Sequence, residues 1–306
     1  MRTHAERLET LVVPAANGTG LPTAVVHPCD EVALQGALLA RERNLIIPTL
    51  VGPERRIRAL AEQYQLDLHG CTLIDTPHSH ASAARGIALV REGLAAALMK
   101  GSLHTDELMG AVLERDSGLR TEHRISLVFY MDVPLYPKPL ILTDAAICIE
   151  PTLEDKVHIV QNAIDFAITM GIASPHVALL AAVETVNPKM RATLDAAVLC
   201  KMSDRGQIRG GVLDGPLAFD NAISADAAAR KGIRSPVSGQ VDILVAPDIE
   251  SANMLAKQLE YLADAVTAGL VLGARVPIIL TSRADSADTR LASAAVAVQY
   301  ARRKGK

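Results

Sequence analysis

Short apolar runs alternate along this chain with longer segments whose apolar positions recur at helical spacing. Thr23 to His27 predicts a strand, Asp30 to Arg43 a helix, Ile46 to Val51 a strand, and Pro53 to Tyr64 a helix with proline in its first turn. The rhythm continues with strand Thr72 to Asp75, helix Ser79 to Glu92, strand Ala95 to Met99 and helix Thr105 to Glu114. Ahead of it, residues 2 to 13 predict a short helix closed by Pro14. Strands and helices alternating at this spacing predict right-handed βαβ crossovers and a mostly parallel sheet flanked by helices, an α/β fold.

The rhythm breaks once. Asp116 to Arg124 is charged and holds Gly118, and after it two strand-like runs, Ile125 to Asp132 and Leu140 to Thr143, flank a proline-rich turn from Pro134 to Pro139. Thr152 then caps a helix reaching Met170, with Asp155 three residues on and Gly171 at its stop. Strands at Val177 to Val183, Gly211 to Leu213, Val241 to Val245, Gly269 to Leu272 and Pro277 to Leu280 alternate with further helices, the last being Ala287 to Arg302. The expected organisation is two domains: residues 1–120 with 273–306, and an inserted 121–272 that carries dimerisation through the strand-turn-strand around Pro134.

Composition narrows the partners. A chain of 306 residues with 49% hydrophobic content buries a sizeable core, and aromatics at 3% with no Trp leave no stacking platform for bases. A net charge of -3 supplies no broad basic field, so neither nucleic acid nor an anionic membrane is expected as a partner. The four cysteines are widely spaced with no C-x-x-C pair, and no acidic cluster suits a divalent ion, so no metal and no disulfide is expected. No apolar span has membrane length, and the expected location is the cytoplasm.

The chemistry sits where predicted strands end. Lys100-Gly101-Ser102-Leu103-His104-Thr105 follows an apolar strand and opens a helix, and so combines a cation, a glycine, two hydroxyls and free N–H groups suited to an anion such as phosphate. Ser282 and Arg283 follow another strand, with Asp285 and Asp288 close behind, and ligands of open α/β sheets bind at such carboxyl ends. A cleft between the two stretches is expected. His78 and His80 flank a helix start, where Ser79 is the expected cap; Asp220 and Asn221 follow Gly215-Pro216; Asn253 and Lys257 follow Pro247-Asp248. Each of these loops also reads as ordinary turn chemistry, and Lys100 as a solvated strand end.

Six blocks in order, MKGSLHTDELM, LILTDAAICIEPTLEDKVHIVQNAI, ETVNPKM, DGPLAFDNAIS, PDIESANMLAKQL and LTSRADS, resemble the phosphate acetyl/butyryltransferase family. The likeness is to the phosphotransacylase half of proteins that also carry an enoyl-CoA hydratase domain; the hydratase half is not expected here. The resemblance implies reversible acyl transfer between coenzyme A and phosphate, with coenzyme A a substrate and no further cofactor. It also implies a two-domain fold like isocitrate and isopropylmalate dehydrogenases, a homodimer, and Ser282 and Arg283 at the catalytic centre. Many acetyltransferases of the family have an Asp where this chain has Thr289, and an Arg near Met109. Asp285 or Asp288 is therefore expected as the base, and Lys100 and His104 as phosphate ligands. The alternatives are an NAD-dependent hydroxyacid dehydrogenase of the same architecture and a coenzyme A-binding protein without catalysis.

Overall fold

In the computed structural model, which describes residues 2–304, the chain opens with α1 (His4–Ala16), entered through a capping box between Thr3 and Glu6. Pro14 does not end this helix, as the sequence suggested. Its last turn packs on the C-terminal helix, where Arg302 donates to the carbonyls of Ala15 and Asn17 at 2.7 Å, and these contacts outweigh the N–H that proline lacks. There follow β1 (Leu21–Val26), α2 (Glu31–Glu42), β2 (Ile46–Gly52), α3 (Glu54–Gln63), β3 (Thr72–Asp75), α4 (Ser79–Arg91), β4 (Ala97–Lys100) and α5 (Thr105–Leu113). Next come β5 (Ser126–Asp132), β6 (Leu140–Thr143), α6 (Leu153–Thr169), β7 (His176–Leu180), α7 (Arg191–Asp204), β8 (Val212–Leu217), α8 (Phe219–Ile223), α9 (Ala225–Arg230), β9 (Ile243–Val245) and α10 (Ile249–Leu262). The chain closes with β10 (Val266–Leu272), β11 (Ile278–Ile279) and α11 (Ala287–Lys304).

Two compact units result, one running to Glu122 and resuming at Val266, the other spanning His123–Ala265. The second crossing thus falls earlier than the expected residue 273. The reason is β10, which pairs antiparallel with β11, Leu270 opposite Ile279, and packs under α11. Five residues between these strands, with Gly273 at φ 85, make a turn and not a crossover, which needs a dozen or more.

In the first unit the strand order is β3-β2-β1-β4-β11-β10, parallel except for β10. The chain steps outward from β1 to β3 through α2 and α3, then returns through α4, packed over β1 and β2, to reach β4 on the other side of β1. Right-handed crossovers put α2 and α3 on one face and α4 on the other. The order reverses between β1 and β4, and a crevice opens beyond the carboxyl ends of strands at such a point. α11 is buried on all sides, and its small residues Ala292, Ser293, Ala294 and Ala295 let it lie close to β10, α2 and α1.

In the second unit the order is β5-β6-β9-β7-β8. The β5–β6 pair is the antiparallel hairpin that the proline-rich turn suggested, and the remaining pairs are parallel. The strand expected at Gly211 to Leu213 runs on to Leu217, so Asp214 and Gly215 lie inside β8 and not in a loop. At Gly215 a Cβ would stand 2.7 Å from the Leu179 carbonyl oxygen, where the β7–β8 register shifts.

Candidate active site

At the β1 and β4 ends, where the reversal of strand order predicts a crevice, the two strands are joined by close backbone contact. Gly101 N–H donates to the Val26 carbonyl at 2.8 Å, and a Cβ at Gly101 would lie 2.4 Å from that oxygen and 2.5 Å from the His27 carbonyl oxygen. No other residue fits there. Ser102 Oγ donates to the His27 carbonyl at 2.8 Å and accepts from Cys29 N–H at 3.1 Å, so its hydroxyl braces the end of β1. His27, at φ 55, sets its Nδ1 3.0 Å from Ser82 Oγ, and burial together with Arg56 and His78 lowers its pKa. Asp30 closes the turn, its carboxylate accepting Ala33 N–H at 2.8 Å as the cap of α2.

Lys100 is not a solvated strand end: it is 2% exposed. Its ammonium donates to two carbonyls, Thr281 O at 3.1 Å and Gly101 O at 3.4 Å, which leaves one of its three N–H bonds for a ligand. Burial first, then Arg290 and Arg283, lower its pKa from 10.5 to about 8, against the opposing pull of Asp285 and Asp30. Three cations thus converge where β4 and β11 end, facing two carboxylates. The excess positive charge, partly desolvated, suits an anion carrying more than one charge.

The loop after β11 presents Ser282 and Arg283 to solvent, both exposed. Its backbone is pinned from below: Ser282 N–H donates to the Asp285 carboxylate at 2.7 Å, and Asp285 is buried. Asp288 is exposed in the first turn of α11, whereas Thr289, buried, has its N–H capped by Ser286 Oγ at 3.2 Å. Met109 is buried in α5.

Around this crevice, His104 caps α5 with its backbone alone and is exposed, and Thr105 is the first residue of that helix. His78 caps α4 in place of the expected Ser79, its Nδ1 accepting Ala81 N–H at 3.2 Å. His80 turns away into a groove lined by Arg91, Asp106, Glu107 and Glu114. The second unit holds the rest. Asp220 pairs with Lys231 at 3.0 Å; Asn221 is fully buried and donates to Glu184 at 3.3 Å. Asn253, on α10, donates to the Ala145 carbonyl at 3.2 Å, beside Asp144, whose carboxylate gathers the N–H groups of Ala146, Ile147 and Cys148. Lys257 is engaged by Glu260 at 2.7 Å and lies over the Tyr261 ring. Among the described residues no His, Cys, Asp and Glu cluster could hold a metal ion, and no helix is long and apolar enough to cross a membrane.

Sequence reading missed Arg290. It is fully buried in the first turn of α11 and donates to Thr281 Oγ1 at 2.7 Å and to the Ser282 carbonyl at 2.9 Å. The available signal was an arginine opening a helix otherwise rich in small apolar residues.

Several known proteins are similar to this chain along most of its length. A protein called phosphate acetyltransferase from Rhizobium meliloti is 57% identical over 298 residues, 97% of this chain and 94% of its own length. A phosphate butyryltransferase from Clostridium beijerinckii is 42% identical over 280 residues, covering 92% of this chain and 93% of that protein. Among solved structures, a branched-chain phosphotransacylase from Enterococcus faecalis superposes with a TM-score of 0.79 at 28% identity, covering 92% of this chain and 99% of that one. The model of a family described as phosphate acetyl/butaryl transferase matches residues 80–298, a span containing Lys100, Ser282, Arg283 and Arg290, and the chain belongs to that family.

Proposed function

We propose that the protein transfers a short acyl group reversibly between coenzyme A and inorganic phosphate, acting in the cytoplasm as a homodimer with coenzyme A as a substrate and no resident cofactor. The observation that carries this reading is Lys100, a buried ammonium at the switch point of the first unit with Arg283 and Arg290 beside it.

In the direction of acyl phosphate synthesis, a phosphate oxygen attacks the thioester carbonyl, the C–O bond forms, and the C–S bond breaks as thiolate leaves. In reverse, the thiol must lose its proton before it attacks the acyl phosphate. With a pKa of about 8.5 a free thiol is only slightly ionised near neutrality, so a base helps. Asp285 and Asp288 remain the proposed bases, and Asp288 is the more open of the two. Lys100 holds the phosphate. Arg283, exposed at the crevice, stabilises the tetrahedral oxyanion, a contribution of about 3 kcal/mol for one well-placed donor. Holding both substrates at one strand end supplies the remaining advantage through proximity. His78, His104 and Thr105, in the same unit as Lys100, are the further residues proposed to contact the substrates.

The test is release of free thiol from acetyl-, propionyl- and butyryl-CoA in the presence of phosphate, without NAD. Phosphate-dependent thiol release is the expected result, and the panel assigns the acyl chain. Tight coenzyme A binding without thiol release would instead favour a non-catalytic binding protein. Sedimentation at working concentration should show a dimer, with a monomer as the result that removes the proposed dimerisation role of residues 121–272.

A further inference from the structure

The loop that presents Ser282 and Arg283 has few ways to move. Its strand end is held by Lys100 on the Thr281 carbonyl, by Arg290 on the Thr281 hydroxyl and the Ser282 carbonyl, and by Asp285 on the Ser282 N–H. Of these, Arg290 is the least explained by folding alone. A buried arginine is expensive to desolvate, and replacing buried charges with apolar side chains is often neutral or stabilising. Here it is fully buried, its Nε has no hydrogen-bond partner, and its two bonded acceptors are a hydroxyl and a carbonyl. Burial lowers its pKa, with Asp30 and Asp285 opposing that shift.

The neighbouring helix also gives way to it. Gly36 lies in the middle of α2, where glycine is less favourable than alanine. A Cβ at Gly36 would stand 2.6 Å from Arg290 Cδ, 3.0 Å from its Cβ and 3.3 Å from its Cγ. The missing side chain is the channel through which Arg290 reaches the strand end.

We propose that Arg290 is a positioning residue for acyl transfer: it clamps the Thr281–Ser282 backbone from below and so fixes where Ser282 and Arg283 stand at the crevice, with Gly36 making room for its stem. The assignment rests on the acyl transfer reading above. Arg290 itself, fully buried, acts on the substrates through the loop it holds.

The test uses Arg290→Met, Arg290→Lys, Gly36→Ala and the double variant Gly36→Ala/Arg290→Met in the full chain, with thiol release from acyl-CoA and phosphate as the assay. Arg290→Met should lower kcat roughly tenfold to a hundredfold, the size expected for hydrogen bonds from a charged group, while both KM values stay within about twofold. Arg290→Lys should recover only part of kcat, because one ammonium nitrogen cannot reproduce the fixed spacing of the two guanidinium nitrogens that reach the Thr281 hydroxyl and the Ser282 carbonyl. Gly36→Ala, which improves helix propensity and removes no charge, should lower kcat in the wild-type background and add nothing to Arg290→Met.

The pH profile separates positioning from general loosening. The charged groups around Lys100 are Arg290 from α11, Arg283 and Asp285 from the loop after β11, and Asp30 from the start of α2. Arg290→Met removes a repelling cation and should move the alkaline limb to higher pH, whereas Arg290→Lys should leave it in place. Should Arg290→Met fail to fold, Gly36→Ala and Arg290→Lys decide the matter. Wild-type kcat in Gly36→Ala, or losses that merely follow the thermal midpoint, overturn the positioning role. A wild-type protein that releases no thiol overturns the transfer reading, and this role with it.

Discussion

Arg283→Ala is expected to lower kcat for acyl transfer by roughly a hundredfold to a thousandfold, the loss seen when one oxyanion donor is removed. The side chain is exposed, so the thermal midpoint should hardly change. The expected signature is therefore a kinetic defect in a protein whose unfolding curve overlays that of the wild type. Loss of kcat and of kcat/KM in equal measure would mark an interaction made in the transition state alone. Turnover at the wild-type rate would remove Arg283 from the catalytic centre.

Lys100→Met should have a different signature. One charge-assisted hydrogen bond to phosphate is worth about 1.5 to 3 kcal/mol, so kcat/KM for phosphate should fall roughly tenfold to a hundredfold with KM for acyl-CoA almost unchanged. A rise in KM for acyl-CoA with the phosphate parameters held would move Lys100 to coenzyme A, and no change in either would remove it from the site. The substitution should not weaken the fold. The folded-state pKa lies near 8, below the 10.5 of the unfolded chain, so between these values the unfolded state binds more protons and wild-type stability rises with pH. In Lys100→Met that rise should be absent, and at neutral pH, where the wild type carries a buried charge, the variant's thermal midpoint should hold or increase. In the wild type, kcat/KM for phosphate should fall as pH rises through about 8 and the ammonium is lost, levelling off at roughly the tenfold to hundredfold loss of Lys100→Met.

The strand-to-helix rhythm was legible because each βα unit carries its own local signals. Thr152 with Asp155 makes the capping box read from sequence, and Leu140–Thr143 spans the residues expected. What failed was non-local. Pro14 sits inside a helix because Arg302, near the other end of the chain, ties down the last turn. The antiparallel β10–β11 pair was hidden because both segments read as ordinary buried strands, and only the short turn at Gly273 betrays the reversal.

The site divides in the same way. Lys100 and the Ser282-Arg283 pair announced themselves as polar residues at the ends of apolar runs. Arg290 did not, since the spacing around it reads as a helix start and its acceptors, Thr281 and Ser282, are named only by the fold. Gly101 was read as an approach for ligand, whereas its immediate neighbours are the carbonyls of Val26 and His27, and no local pattern distinguishes those two uses of a glycine.

The antiparallel turn back through β10 and β11 also sets an order of events during synthesis. The inserted unit is a continuous segment and is complete once residue 265 has been made, whereas the first unit waits for β10, β11 and α11 to extend its sheet. At about 5–20 residues per second, the ribosome leaves an interval of several seconds or more between Lys100 and the Thr281 carbonyl that will accept its hydrogen bond. During that interval the lysine has no reason to leave water. The nascent chain therefore carries this strand end open, and β10, β11 and α11, which emerge after the inserted unit, bury Lys100, pin Ser282 and close the cation cluster.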